Sequence, residues 1–419
     1  MPAVPARREV LITGVGATTP LGGTAAQTWR AALGGQSGAR PLPSEWVRDY
    51  ELPVEFAARI AQDPAEVLPR PRLRRLDPSG QFAVIAAAEA WEDAGRPEAE
   101  PERIGVVVGS GIGGVWTLLN GWDTVRERGA RRILPLTIPM LMPNAPAANI
   151  AIEYGARAGA HTPASACASG AEALVNAVRM IRCGLADVVI AGGTEAPIHP
   201  MPLASFAKMQ ALSLRNDSPA TASRPYCVTR DGFVMGEGAA ILVLESAGHA
   251  AARGARALAR IAGVGSSSDA YDIAPPDPSG EGQRRAMSEA IDDAGILPGE
   301  IAHVNAHATA TPAGDGIEAA AIRAALGDPA ADSAKVSATK SMTGHMLGAA
   351  GALETLFTAL ALRHRLAPPT TNIQELDPAV HLDVVRETPA PLPSGRPLAA
   401  LNNAFGFGGH NMALVLTSV

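Results

Sequence analysis

The sequence predicts an α/β fold in which helices cover the faces of a sheet. Two observations carry this. Short apolar, β-rich runs alternate with segments of helical apolar spacing along the whole chain, and the two halves of the chain repeat one local plan. With 419 residues and 47% apolar content, the protein can bury a large core and is long enough for two domains.

The elements follow in order. Glu9 to Val15 reads as a strand, Gln81 to Ala94 as a helix, Ile104 to Gly109 as a strand, Ala168 to Arg182 as a helix and Val188 to Gly192 as a buried strand. The second half continues with a strand at Ala257 to Gly265, a helix at Gly282 to Ala294 and a strand at Ile301 to Ala306. A helix at Ile317 to Leu326, a strand at Lys335 to Ala338, a helix from about Gly348 to Leu362 and a last strand at Met412 to Thr417 complete it. Cys167 precedes apolar positions Leu174, Val178 and Ile181, and His345 precedes Leu353, Leu356 and Leu360, each after a short strand and a glycine-containing stretch. This echo reads as an internal duplication joined near residues 250 to 256. Proline-rich pieces at Pro41 to Pro53, Asp63 to Pro71 and Pro389 to Pro397 read as surface connections.

Composition narrows the function. A net charge of −6 argues against a nucleic-acid binder, leaving only local arginine clusters for an acidic partner. The start MPAVPARREVLITG has no apolar targeting run and no window has the length of a bilayer span, so neither export nor membrane insertion is expected. Cys167, Cys183 and Cys227 form an odd set without metal-ligand spacing, which points to a reducing cytoplasm, no disulfide framework and no metal. Only Lys208, Lys335 and Lys340 are lysines among 35 basic residues, so each merits a question. Gly109, Gly111 and Gly114 fit a dinucleotide-loop pattern, but no acidic residue closes a second strand about 20 residues later, and that reading is set aside.

Four segments could carry chemistry. An isolated cysteine flanked by alanines is commonly a small core residue. In "SACASGAEAL", however, small neighbours leave room for a substrate, and a helix starting there points free N–H groups at the Cys167 sulfur, which favours thiolate. Cys183 and Cys227 lack such a setting and read as structural. "VNAHATATPAGD" sets His307 just past a buried strand, with Thr309 and Thr311 following, and "KSMTGHMLGAAGALE" sets Lys340 and His345 at another strand-to-helix turn. Two histidines at the carboxyl ends of strands, where α/β sites lie, read as functional although one alone would not. In "NNAFGFGGHN", Gly406, Gly408 and Gly409 let an amide turn toward an oxyanion while Phe405 and Phe407 close over apolar substrate; a tight turn is the plain alternative.

Together with "GSGIGG" and "ALSLRNDSPATASRPYCVTRDGFVMGEGAA", these motifs resemble the β-ketoacyl-[acyl carrier protein] synthases, in the family's order and over nearly the whole chain. The resemblance implies a thiolase-like duplicated fold with five αβαβα layers. Residues 1–255 would form an N-terminal half carrying the nucleophile, and 256–419 a C-terminal half carrying both histidines and the glycine-rich loop. It implies Cys167 as acyl acceptor, His307 and His345 as stabilisers of the enolate formed on decarboxylation, and Lys340 orienting the site through His345 and Glu354. Backbone amides of Cys167 and Phe407 would form the oxyanion hole. Thr309 and Thr311 would meet pantetheine, while Ile112, Phe206, Leu347 and the gate Phe407 would bound the acyl pocket. Arg74, Arg75, Arg131 and Arg132 would dock the acidic acyl carrier protein.

The expected reaction is decarboxylative condensation with malonyl carrier in fatty-acid elongation, without metal or organic cofactor, by a cytoplasmic homodimer formed through an N-half strand. A type II polyketide ketosynthase, paired with a chain-length partner, is the alternative. A thiolase would need a second cysteine near the final glycine loop, the initiating branch would replace a histidine by asparagine, and a non-catalytic chain-length partner would lack Cys167. Ala308, Ala404 and His410 depart from residues common in the family, and none of the three removes a catalytic group.

Overall fold

The computed structural model describes residues 7–419. Strand β1, Val10–Thr18, is buried along nearly its whole length, as expected of an apolar run covered on both faces. The N-terminal set continues with β2 (Ile104–Gly109), β3 (Ala160–His161), β4 (Val188–Glu195) and β5 (Gly238–Ser246). The C-terminal set is β6 (Ala259–Ser268), β7 (Ile301–Asn305), β8 (Lys335–Ser337), β9 (Asp383–Val384), β10 (Ala399–Gly406) and β11 (His410–Thr417).

These strands form one eleven-stranded sheet in the order β9, β8, β7, β10, β11, β6, β1, β5, β4, β2, β3. Outward from the centre, the order β1, β5, β4, β2, β3 is matched by β6, β11, β10, β7, β8. Antiparallel and parallel pairings fall in the same places, and β9 is added at one edge. The echo in the sequence is thus a repeat of topology. The two sets meet where Val10, Leu11 and Ile12 pair with Ile261, Arg260 and Ala259.

The principal helices are α1 (Pro78–Asp93), α2 (Val115–Arg128), α3 (Ala145–Tyr154), α4 (Ser169–Arg182), α5 (Glu281–Ala294), α6 (Gly314–Leu326) and α7 (Ala350–His364). α1 and α3 cover the outer face of the first strand set, and α5, with α6 against it, covers the second. α4 and α7 pack on each other and on strands of both sets. The result is the thiolase-like αβαβα stack, with one apolar core in the middle layer and one under each outer layer.

Close approach in the outer layers depends on two matched glycine pairs. A Cβ at Gly14 or Gly16 of β1 would lie 2.3 or 2.0 Å from the Ala90 or Ala86 carbonyl of α1; at Gly263 or Gly265 of β6 it would lie 2.0 Å from the Ala290 or Ala286 carbonyl of α5. Carboxylates repeat as well: Glu89 and Asp93 accept the amides of Ala17 and Val15, while Glu289 and Asp293 accept those of Ser266 and Val264.

β5 and β10 were not expected as strands. GAAILVLES and AALNNAFG are buried without alternation, and such runs carry no period to separate strand from helix. The Pro41 to Pro53 segment also departs from expectation. It contains a short helix, Ser44–Asp49, and buries Leu42 and Leu52 in the apolar cluster that includes Cys167. Cys183 is exposed beyond the end of α4.

Candidate active site

Cys167 lies in the tight turn Ala166–Ala168 that feeds α4. Ala166 adopts φ 51°, a left-handed conformation that a non-glycine residue holds only when its surroundings compel it. The compelling bonds are local: the Ser169 hydroxyl donates to the Ala166 carbonyl at 2.7 Å and accepts the Ser165 amide at 2.9 Å. Gly406, at the end of β10, rests on this turn, since a Cβ there would sit 2.3 Å from Ser165 O and 3.2 Å from Cys167 N. Beyond it, Gly408 and Gly409 take φ of 83° and 73° and reverse the chain into β11. The backbone N–H groups of Phe407 and of Cys167 itself lie where they favour negative charge on the sulfur.

Burial pushes the Cys167 thiol up to about 12, Lys340 and the two amides pull it down, and Glu195 adds to the rise. Desolvation thus opposes the thiolate that the start of α4 favours.

His307 follows β7 and His345 follows the short helix Lys340–Thr343. The His345 backbone is fixed on both sides, its N–H donating to Val234 O at 2.7 Å and its carbonyl accepting Gly236 N at 2.8 Å. Aromatic rings join the histidines to Phe206 and to the glycine loop. Phe407 is 6.4 Å from Phe206, Phe206 5.5 Å from Phe233, Phe233 5.2 Å from His345, His345 5.5 Å from His307 and His307 5.7 Å from Phe405. Phe233 and Leu347 share an apolar cluster with Cys167, and Phe206 packs against it. Burial, reinforced by Lys340, holds both imidazoles well below the ordinary histidine range. Both rings are neutral near pH 7, and the Nδ1 atom of each is buried without a hydrogen-bond partner.

Lys340 is 1% exposed. Its Nζ donates to Glu354 and, at 2.6 Å, to the His307 carbonyl, so its link to the histidines runs through the His307 backbone. Burial raises the Glu354 carboxyl to about 7, with Lys340 opposing. Thr309 and Thr311 lie together, hydroxyl to hydroxyl at 3.2 Å. Ile112 is 41% exposed, and Arg74, Arg75, Arg131 and Arg132 are all exposed.

Two carboxylates escaped the sequence reading. Glu318 accepts the amides of His307 and Ala308 at 2.8 and 2.6 Å and the Asn403 side chain at 3.0 Å, fixing the histidine loop to β10. Glu195, fully buried at the end of β4, accepts from Ser110 Oγ and from the amides of Gly111, Ile112 and Gly348. The glycine-rich stretch after β2 thus cradles an internal carboxylate. The available signal was an acidic residue closing an otherwise apolar, glycine-containing strand, VVIAGGTE.

The chain is similar to known proteins along most of its length. Residues 7–250 match the N-terminal domain of beta-ketoacyl synthase and residues 258–374 its C-terminal domain. The chain is 44% identical over 406 residues to a 3-oxoacyl-[acyl-carrier-protein] synthase 2 of Mycobacterium tuberculosis, covering 97% of this chain and 96% of the relative. Among solved structures, it superposes with a TM-score of 0.90 at 30% identity on a type II polyketide ketosynthase complexed with its acyl-carrier protein and bound to the hexaketide. That match covers 99% of this chain and 100% of the other. The ishigamide ketosynthase/chain length factor matches with a TM-score of 0.90 at 32% identity, over 99% of this chain and 100% of that one.

Proposed function

The chain belongs to the beta-ketoacyl synthase family, and we propose that it catalyses condensation of an acyl thioester with malonyl-[acyl carrier protein] in fatty-acid elongation. The products are a β-ketoacyl carrier two carbons longer and CO2. One observation carries this reading: the buried Cys167 thiol shares an apolar cluster with Phe233, whose ring meets His345, which in turn meets His307, and burial holds both imidazoles neutral.

Cys167 takes the acyl group from its carrier, and the thiol proton ends on the departing pantetheine sulfur. Malonyl carrier then binds beside Thr309 and Thr311. As its carboxylate leaves as CO2, the bonding pair moves into an enolate whose oxygen accepts hydrogen bonds from His307 and His345. Neutral rings suit this step, because donors arranged beforehand in a dry pocket stabilise developing charge without giving up a proton. The enolate carbon attacks the acyl-Cys167 carbonyl, the amides of Cys167 and Phe407 hold the tetrahedral oxyanion, and its collapse frees the sulfur. Lys340 and Glu354, through the His307 carbonyl, hold the first histidine in place. Ile112, Phe206, Leu347 and Phe407 bound the acyl chain.

Residues 1–255 and 256–419 serve as the two functional halves, one bringing the nucleophile and the other both histidines. The partner is acyl carrier protein, docked through Arg74, Arg75, Arg131 and Arg132. A homodimer forms through edge strand β3 and its neighbours, a reading supported by exposed Leu118, Trp122, Leu134 and Ile138 on this half. Among the described residues no helix is long and apolar enough to cross a membrane, in keeping with work in the cytoplasm. The ketosynthase likenesses favour one second reading, a type II polyketide ketosynthase beside a chain-length partner.

The test is mass spectrometry of products from a panel of acyl carriers with malonyl carrier. One two-carbon extension per cycle, with CO2, supports fatty-acid elongation. Poly-β-keto products formed only with a second subunit support the alternative, and no condensation product contradicts both.

A further inference from the structure

We propose that Glu195 is a positioning residue for the condensation: from inside the protein it fills the second of two turn-to-helix amide sites that the duplicated fold creates, and so sets both turns bordering the acyl pocket. The inference rests on the functional reading above.

The duplication yields two turns of one design. Ala166, with φ 51°, leads into Cys167–Ala168 and α4; Leu347, with φ 44°, leads into Gly348–Ala349 and α7. At the first turn the amide of Cys167, together with that of Phe407, favours negative charge on the sulfur. At the second, the equivalent amide of Gly348 donates to Glu195 Oε2 at 3.0 Å, beside Gly111 N at 2.7 Å. The other oxygen, Oε1, accepts Ser110 Oγ at 2.9 Å and Ile112 N at 3.1 Å. An internal carboxyl group thus occupies a site whose counterpart would serve the substrate.

Glycines make the fit. A Cβ at Gly348 would lie 2.6 Å from Glu195 Oε2 and 2.6 Å from Gly111 N, and one at Gly111 would lie 2.9 Å from the same oxygen. The carboxylate hangs from β4, where Glu195 pairs with Gly238 of β5, so its backbone is held by the sheet. Its partners are the parts that need placing. The Ser110 to Ile112 loop touches the nucleophile turn, a Cβ at Gly111 being 3.2 Å from Ala166 O. Gly348 follows His345 by three residues and Leu347 by one. A single buried side chain therefore fastens the loop carrying Ile112 to the turn carrying the second histidine, across the two halves of the fold.

The experiment measures two half-reactions, Cys167 acylation by intact-protein mass and CO2 release from malonyl carrier, alongside steady-state condensation. In Glu195→Gln an NH2 group faces backbone or hydroxyl donors on one side, so the cradle cannot close. kcat should fall at least about tenfold while the KM for malonyl carrier stays within about twofold, the pattern of lost alignment at intact binding. Ser110→Ala removes one of the four donors and keeps the carboxylate; it should lower kcat about threefold with KM unchanged, which keeps the test open if the first variant does not fold. Folded variants of both kinds with wild-type kcat overturn the proposal, as does a loss confined to KM. Wild-type protein that neither acylates nor releases CO2 overturns the functional reading itself, so the two failures are told apart.

Discussion

The rings of His307 and His345 meet edge to face, centroids 5.5 Å apart and planes at 86°. They come from segments that follow adjacent parallel strands, β7 and β8, and burial is the main reason neither ring takes up a second proton near neutrality. Replacing either by alanine should slow CO2 release from malonyl carrier at least about tenfold, the lower end of what one oxyanion donor contributes. Because both rings titrate well below the usual range, that release should show no imidazole step between about pH 6 and 8. A rate that falls as pH rises through about 6.5 would mean that a charged ring is required.

The buried Lys340 and Glu354 pair makes a stability prediction. Removing one member strands the other without solvent, and such losses run to about 3–5 kcal/mol. Glu354→Ala should therefore lower the denaturation midpoint strongly. The double change Lys340→Met with Glu354→Leu should recover much of that midpoint but not the activity, because no ammonium then holds the His307 carbonyl. Recovery of both would leave the pair without a catalytic role.

The thiol predicts its own pH profile. With burial holding Cys167 near 12, its alkylation by a small neutral reagent, followed on the Cys167 peptide, should rise about tenfold per pH unit between about pH 7 and 9. A plateau in that range would mean that the sulfur rests as thiolate. Reading the peptide separates this signal from Cys227, drawn down to about 7 chiefly by its hydrogen bond with Thr229, which with neighbouring amides outweighs the opposing burial.

The proposed carrier docking on arginines is electrostatic and therefore predicts sensitivity to salt. Charge reversal at Arg131 and Arg132, both exposed, should weaken carrier binding more at low salt than at high salt. Equal affinities for variant and wild type across the salt range would remove this pair from the docking surface.

Much of the fold was legible because helices such as α4 keep their apolar period and strands such as β2 are bounded by glycine and charge. β5 and β10 were not, since a fully buried run has no polar face to mark its register. At the site, Cys167, His307 and His345 stood out by residue type beside glycines. The carboxylates that hold them did not. Glu318 sits on an ordinary helical pattern, and Glu195 works through the Ser110 hydroxyl and the amides of Gly111, Ile112 and Gly348, partners too distant in sequence for a local motif to span. The burial of Cys167 was hidden for a related reason: a helix terminus can be seen in sequence, whereas the depth at which a side chain lies cannot.

The central claim is that Cys167 accepts the acyl group. Its most direct test is the intact mass of the protein after incubation with an acyl-carrier thioester and no malonyl carrier. The wild type should gain the mass of one acyl group, mapped to the Cys167 peptide, and folded Cys167→Ala should gain none and condense nothing. A wild type that stays unmodified, or a Cys167→Ala protein that still elongates, would contradict the account.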